Sequence, residues 1–259
     1  MMVLSQLKDI VDMKMTALSQ LRGIAALKSI LEIIPNVYQL TIRGVNMVLI
    51  AEEELTLVDT GFPGSSGQIV DFIHNLGRSV EEISLIIITH NHFDHAGGLT
   101  ELSKLTRAKV AVHQADIGDS EAHLPYPGVV RRLLRVPALS ALRSAFSIRP
   151  SEVDILLEGG EVLKPLGDLR VVHTPGHTPG SISLFSSQNK LLIGGDALSK
   201  RRKSPRLPHR MVSADFTRAT DSVKEIARLD FDILCFGHGR PLTGDVRSKM
   251  RDLIEKIKD

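Results

Sequence analysis

The sequence predicts an α/β protein in which two β-sheets pack together with helices outside. Three observations carry that expectation. Short strand-like runs outnumber helical stretches in each half, and helices follow the strands. Ser84-Leu85-Ile86-Ile87-Ile88 is apolar without alternation, as in a strand buried on both faces. The second half repeats the theme of the first.

The elements follow in order. Leu4, Leu7, Val11, Leu18, Leu21 and Ala25 recur at helical spacing, so residues 3–32 are expected to be a helix stopped by Pro35. Residues 1–36 are therefore set apart as a helical extension covering an apolar surface of its own chain or of a partner. Residues 37–259 form the main domain. Strands are expected at Val37–Ile42, Met47–Ala51 and Leu55–Val58, then a turn over residues 60–64 and a helix using Ile69, Phe72, Ile73 and Leu76. After the buried run come a helix over 94–105, a strand at Lys109–His113 and a helical insert over about 114–150 holding Pro125, Pro127 and Pro137. The second half gives strands at Leu169–His173, Ser181–Leu184, Leu191–Gly194 and Phe231–Phe236, with helices at Ala214–Leu229 and Ser248–Lys258.

The 259 residues are 42% hydrophobic and 24% charged, ordinary for a globular chain with a sizeable core. A net charge of +2 gives no global pull toward nucleic acid or membrane, so neither is expected as a partner. Lys8, Asp9, Asp12, Lys14, Arg22 and Lys28 break the apolar N-terminal stretch, and no run approaches the roughly 18–20 residues of a membrane span. The single cysteine, Cys235, precludes an internal disulfide and fits a reducing compartment, so a cytoplasmic protein is expected.

The chemistry concentrates in Thr89-His90-Asn91-His92-Phe93-Asp94-His95, where three imidazoles and a carboxylate follow directly on the buried strand. Residues two apart in an extended chain face the same way, so His90 and His92 can reach one metal ion. Asp94 and His95, on the turn into the next helix, can face a second. Imidazole and carboxylate donors suit zinc, and also iron, manganese or cobalt. Four further polar groups stand at the ends of apolar runs: Asp59, His177 in Thr174-Pro175-Gly176-His177-Thr178-Pro179-Gly180, Asp196, and His238. Each alone reads as a turn residue; the set in this order is far more specific.

Together these residues resemble the metallo-β-lactamase-fold superfamily, over about residues 37–245. The resemblance implies a four-layer αβ/βα sandwich with metals where the two sheets meet. It implies that His90, His92 and His177 hold one ion, that Asp94, His95 and His238 hold a second, and that Asp196 bridges them. It also implies that Asp59 orients a ligand from behind, and His173 is read as structural or as supporting a ligand. Two divalent ions, zinc foremost, would supply a bridging hydroxide that attacks an ester, lactone or thioester carbonyl, with Asp94 taking or returning a proton. The same site could serve a phosphodiesterase or phosphotriesterase. With only the three-histidine site filled, it could serve an iron dioxygenase acting on persulfides. Asp196 stands where some β-lactamases carry Cys or Ser, and Ser199 where some lactonases carry Tyr. The substrate is expected to be a small molecule. Lys200, Arg201, Arg202, Lys203, Arg206 and Arg210 follow Asp196 with no acid between Ala197 and Ser213, a candidate rim for an anionic substrate. A homodimer is left open.

Overall fold

The computed structural model describes residues 30–118 and 148–258. Its first sheet runs in sequence order through β1 (Ile30–Ile34), β2 (Val37–Ile42), β3 (Val45–Ala51), β4 (Leu55–Val58), β5 (Ile83–Ile88), β6 (Lys109–His113) and β7 (Ile155–Leu157). Strands β1 to β4 are antiparallel neighbours; β4 to β7 are parallel. Parallel neighbours need a crossover. Helix α1 (Ser66–Asn75) makes it between β4 and β5, and α2 (Phe93–Ala96) with α3 (Leu99–Leu105) makes it between β5 and β6.

The second sheet contains β8 (Val162–Leu163), β9 (Leu169–His173), β10 (Ile182–Ser186), β11 (Leu191–Ile193), β14 (Ile233–Cys235) and β15 (Leu242–Thr243), in the order β15-β14-β11-β10-β9-β8. Between β11 and β14 lie a separate hairpin, β12 (Ser199–Arg201) with β13 (Ser204–Arg206), and helix α4 (Phe216–Ile226). Helix α5 (Val246–Lys258) follows β15.

The strand pleat builds the layers. Ile86 and Ile88 join Ile69, Ile73 and Leu102 in a core between the first sheet and its helices, while Ile87 points the other way. There Ile87 meets Val48, Val58, Val171, Leu184 and Ile193 in a core between the sheets. Leu192 and Leu234 face outward onto Val223, Ile226 and Met250 of α4 and α5. Successive strand residues thus serve different cores, which is why these strands read as unbroken apolar runs. The result is the expected αβ/βα sandwich.

The strands expected at Val37–Ile42, Leu55–Val58, Lys109–His113 and Leu169–His173 form with those bounds. The helix expected to reach residue 32 does not: Ile30–Ile34 is strand, paired antiparallel with β2. Its β-branched residues favour an extended chain, and Asn36, at a φ of 65°, turns the chain back after Pro35. The sheet therefore begins before the residue-37 boundary, and the rest of the helical extension lies outside the described residues. The expected helix over 94–105 is two helices with Gly97 and Gly98 between them. Of the expected insert, Gln114–Asp116 and Pro150–Glu152 are short 3-10 turns, and residues 119–147 lie outside the described residues. Among the described residues no helix is long and apolar enough to cross a membrane.

Candidate metal centre

The parallel strands β4, β5 and β6 end on one edge of their sheet, where ligand sites form in open α/β sheets. Asp59 follows β4, and His90 and His92 follow β5. On the second sheet His177 lies between β9 and β10, Asp196 follows β11, and His238 follows β14, which is parallel to β11. Backbone bonds stitch the two sheets along this edge: Ile182 N donates to Thr89 O at 2.9 Å, and Asn46 N donates to Gly237 O at 2.8 Å. The seven expected ligands are thereby brought together. Three overlapping groups have donor atoms within 4.8 Å of one another: His90, His92 and His177; His90, His95 and Asp196; and Asp94, His95 and His238.

The imidazoles are oriented from behind. Thr89 donates its hydroxyl to Asp59 at 2.8 Å, so its oxygen accepts the Nδ1 hydrogen of His90 at 3.0 Å. That leaves His90 Nε2 unprotonated, buried and without a hydrogen-bond partner. His95 Nδ1 donates to Asp59 at 2.9 Å and His238 Nδ1 to the Gly44 carbonyl at 3.1 Å, which turns both Nε2 atoms into the site, 3.5 Å from each other. Asp59 itself sits at a φ of 61°, a left-handed conformation that costs energy in a residue bearing a Cβ.

The donor set fits divalent cations. Burial, and then the neighbouring imidazoles, push the basicity of His90 far down and that of His92 to about 3. Burial likewise lowers His177. Three neutral imidazoles with buried lone pairs are what a metal ion needs and what water cannot reach. Zinc–imidazole bonds of about 2.0–2.1 Å at tetrahedral angles place ligand nitrogens about 3.4 Å apart. His92 Nδ1 and His177 Nε2 are 3.0 Å apart. On the other side carboxylates dominate. Burial opposes charge on His95, yet Asp196, Asp59 and Asp94 raise its pKa to about 9. Its bond to Asp196 raises His238 as well. Asp196 is held below the usual carboxylate range by His95, His238 and His177 despite its burial. Positive charge is thus stabilised here, and a cation can supply it in place of protons. Asp196 stands between the two groups, 3.5 Å from His177 Nε2 and 3.3 Å from His238 Nε2.

Sequence reasoning missed several supports. Buried Asp116, just after β6, accepts from Asn91 N at 2.9 Å, Thr178 Oγ1 at 2.7 Å and Gly180 N at 2.6 Å. One carboxylate thus ties the His90–His92 loop to the His177 turn. Buried Asn46 donates its amide to Phe236 O at 2.8 Å and Gly239 O at 2.6 Å, clamping the loop that carries His238. A Cβ at Gly237 would fall onto the Asp196 carboxylate, so that loop accepts no side chain there. His173 stands outside the ligand groups. It hydrogen-bonds the Pro179 carbonyl at 3.0 Å and stacks on His113 of the other sheet, with ring centroids 4.0 Å apart. Arg201, Arg202, Arg206 and Arg210 are exposed on the β12–β13 hairpin and the turn that follows.

An αβ/βα sandwich with four buried histidines, a more exposed fifth and partly buried aspartates converging where its sheets meet defines a protein suited to divalent metals. The chain belongs to the metallo-beta-lactamase superfamily, whose family model matches residues 40–238. It is 30% identical over 240 residues to the probable metallo-hydrolase YflN of Bacillus subtilis, covering 85% of this chain and 90% of that protein. It is 33% identical over 188 residues to the human acyl-coenzyme A thioesterase MBLAC2, covering 62% of this chain and 60% of that one. Among solved structures, a metallo-beta-lactamase family protein of Thermus thermophilus shares the fold, with a TM-score of 0.69 at 24% identity over 88% of this chain and 81% of that one.

Proposed function

We propose that the protein is a dinuclear metal-dependent hydrolase of carboxylic ester bonds, thioesters foremost. The observation that carries this reading is the pair of donor groups meeting at Asp196. His90, His92 and His177 would hold one ion, Asp94, His95 and His238 the other, with Asp196 shared. When bound, two divalent ions, zinc foremost, lower the pKa of a water toward neutrality and polarise the scissile carbonyl. The protein's own groups do the rest. Thr89, Asp59 and the Gly44 carbonyl fix the ring tautomers, and Asp116 and Asn46 hold the loops. Asp94, only partly buried and with Oδ2 3.6 Å from His238 Nε2, can keep a proton on a carboxylate oxygen and return it to the leaving sulfur or oxygen. Thioesters are favoured over lactones and phosphodiesters because a relative at 33% identity bears the name acyl-coenzyme A thioesterase.

Metal analysis of the purified protein, followed by a thioester, lactone and phosphodiester panel on the same sample, tests this. Two zinc per chain with preferred thioester turnover is expected. One iron per chain would overturn the dinuclear reading. Turnover of phosphodiesters alone would overturn the carboxylic one.

A further inference from the structure

We propose that the β12–β13 hairpin and the turn after it form a subsite for phosphate groups on the non-reacting part of the substrate. The proposal rests on the thioester reading above and names what that thioester carries. The segment is anchored to three ligand loops. It starts at Ser199, just after Asp196. Lys200 Nζ donates to the carbonyls of Arg240 at 2.8 Å and Pro241 at 3.3 Å, beside the loop of His238. It ends where Ala214 N donates to His177 O at 3.0 Å.

The hairpin register sorts its cations. Ser199 pairs with Arg206, Lys200 with Pro205 and Arg201 with Ser204. Pro205 is buried, and Lys200 lies over the Phe236 ring at 5.9 Å, so this pair faces the body. Arg201 and Arg206 therefore share the opposite, open face. Arg210 stacks over Phe216 at 5.4 Å, which steadies its planar guanidinium while its edge donors stay exposed.

Among the described residues nothing neutralises these arginines. No Asp or Glu occurs from Ala197 to Ala214. Among the described residues no carboxylate forms an ion pair with Arg201, Arg202, Arg206 or Arg210. Some exposed basic residues elsewhere are paired, as Arg247 is with Asp230 and Asp232 and Lys190 with Asp230, whereas these four stand together with no carboxylate among them. Forked guanidinium donors that lack a carboxylate match phosphate oxygens in charge and geometry. The cluster is too short to track a polymer, and the chain as a whole carries only +2, so a small phosphorylated molecule is the fitting ligand.

The test compares a coenzyme A thioester with the same acyl group on pantetheine, which lacks the phosphorylated nucleotide. The metal-loaded protein should show kcat/KM roughly ten- to a hundredfold higher on the coenzyme A ester. That advantage should shrink as salt rises, while the pantetheine ester stays flat. Changing Arg201, Arg202, Arg206 and Arg210 together to Gln should bring the coenzyme A ester down to the pantetheine value and leave the latter unchanged. Equal, salt-independent rates in the wild type would overturn the subsite, with no variant needed. Calorimetric titration of adenosine 3′,5′-bisphosphate into the metal-loaded protein tests the subsite apart from catalysis. Binding lost in the fourfold variant supports it; no binding, or binding retained in that variant, overturns it. Absent turnover of both thioesters with bisphosphate binding intact would sink the thioester reading and leave the phosphate subsite standing.

Discussion

At the scale of single residues, Asp116 does the most with the least local warning. Its carboxylate accepts donors from residues 25, 62 and 64 positions away, so two ligand-bearing loops share one anchor. Asp116→Asn would set an amide N–H₂ against these donors and release one loop from the other. Metal affinity should fall about 10–100-fold, as it does when outer partners of metal ligands are removed. A chelator competition titration measures this, and an unchanged affinity would remove Asp116 from the supporting set. A second residue, Cys235, gives a pH signature. Burial pushes its thiol up to about 12, against about 8.5 in an unfolded chain. Below both values the thiol is protonated in both states and contributes nothing to the pH dependence. Above the unfolded value only the unfolded state loses the proton, so stability falls as pH rises between the two. Tyr38, raised to about 12 by burial and by Glu32, acts in the same direction from its ordinary value of 10.0. Cys235→Ala should therefore lose less stability than the wild type between about pH 8 and 10 in denaturant titrations. An identical slope would show that the thiol ionises freely in the native protein. The convergence of the candidate ligands was legible in the sequence because four of them crowd into residues 90–95 and the others end apolar strands. Asp116 and Asn46 were not, because an isolated Asp or Asn after or within a strand looks like any turn or edge residue until its distant partners are known.

At the scale of elements, the pattern that announced the strands also explains their load. Ile87 lies on β5 between two residues that serve a different core, and it is fully buried where the two sheets meet. Ile87→Ala removes side-chain volume from the inter-sheet layer, which is bounded by strands on both sides and closes poorly around a cavity. The expected cost is about 2–5 kcal/mol of unfolding free energy. Ile42→Val, on a strand nearer the sheet edge, should cost about 0.5–1.5 kcal/mol by the same reasoning. A loss at Ile87 no larger than that at Ile42 would mean that the sheets relax together. Strands β7, β8 and β15, only two or three residues long, are too short to carry a periodic signal, and β1 and the β12–β13 hairpin escaped the sequence reading for other physical reasons. Strand β1 follows a stretch with helical spacing, and its β-branched residues together with its pairing to β2 override that pattern. The β12–β13 hairpin turns at Arg202, with a φ of 56°, and Lys203, without the Gly or Asn that usually marks such a turn. Its charges were legible; its fold was not.

At the scale of the whole molecule, the candidate metal centre lies across the seam between the two halves of the sandwich. His90, His92, Asp94 and His95 come from the first sheet and its crossover, and His177, Asp196 and His238 from the second. Without cations, the inter-sheet core and a few backbone bonds join the halves at this edge, among a crowd of imidazoles and carboxylates. A cation bound there holds ligands from both halves at once and exists only in the folded state, so its binding free energy becomes folding free energy. At a free metal concentration about a thousandfold above the dissociation constant, the gain is about 4 kcal/mol. Removing metal with a chelator should therefore lower Tm by several degrees, and returning zinc should restore it. The Asp196→Ala variant supplies the control. Losing the shared carboxylate, it should bind little metal, show nearly no hydrolysis, and unfold at nearly the same temperature with or without chelator. A wild-type Tm indifferent to chelation, in protein shown by metal analysis to have lost its ions, would mean that the two halves are already fully coupled through their core. The centre would then serve chemistry alone.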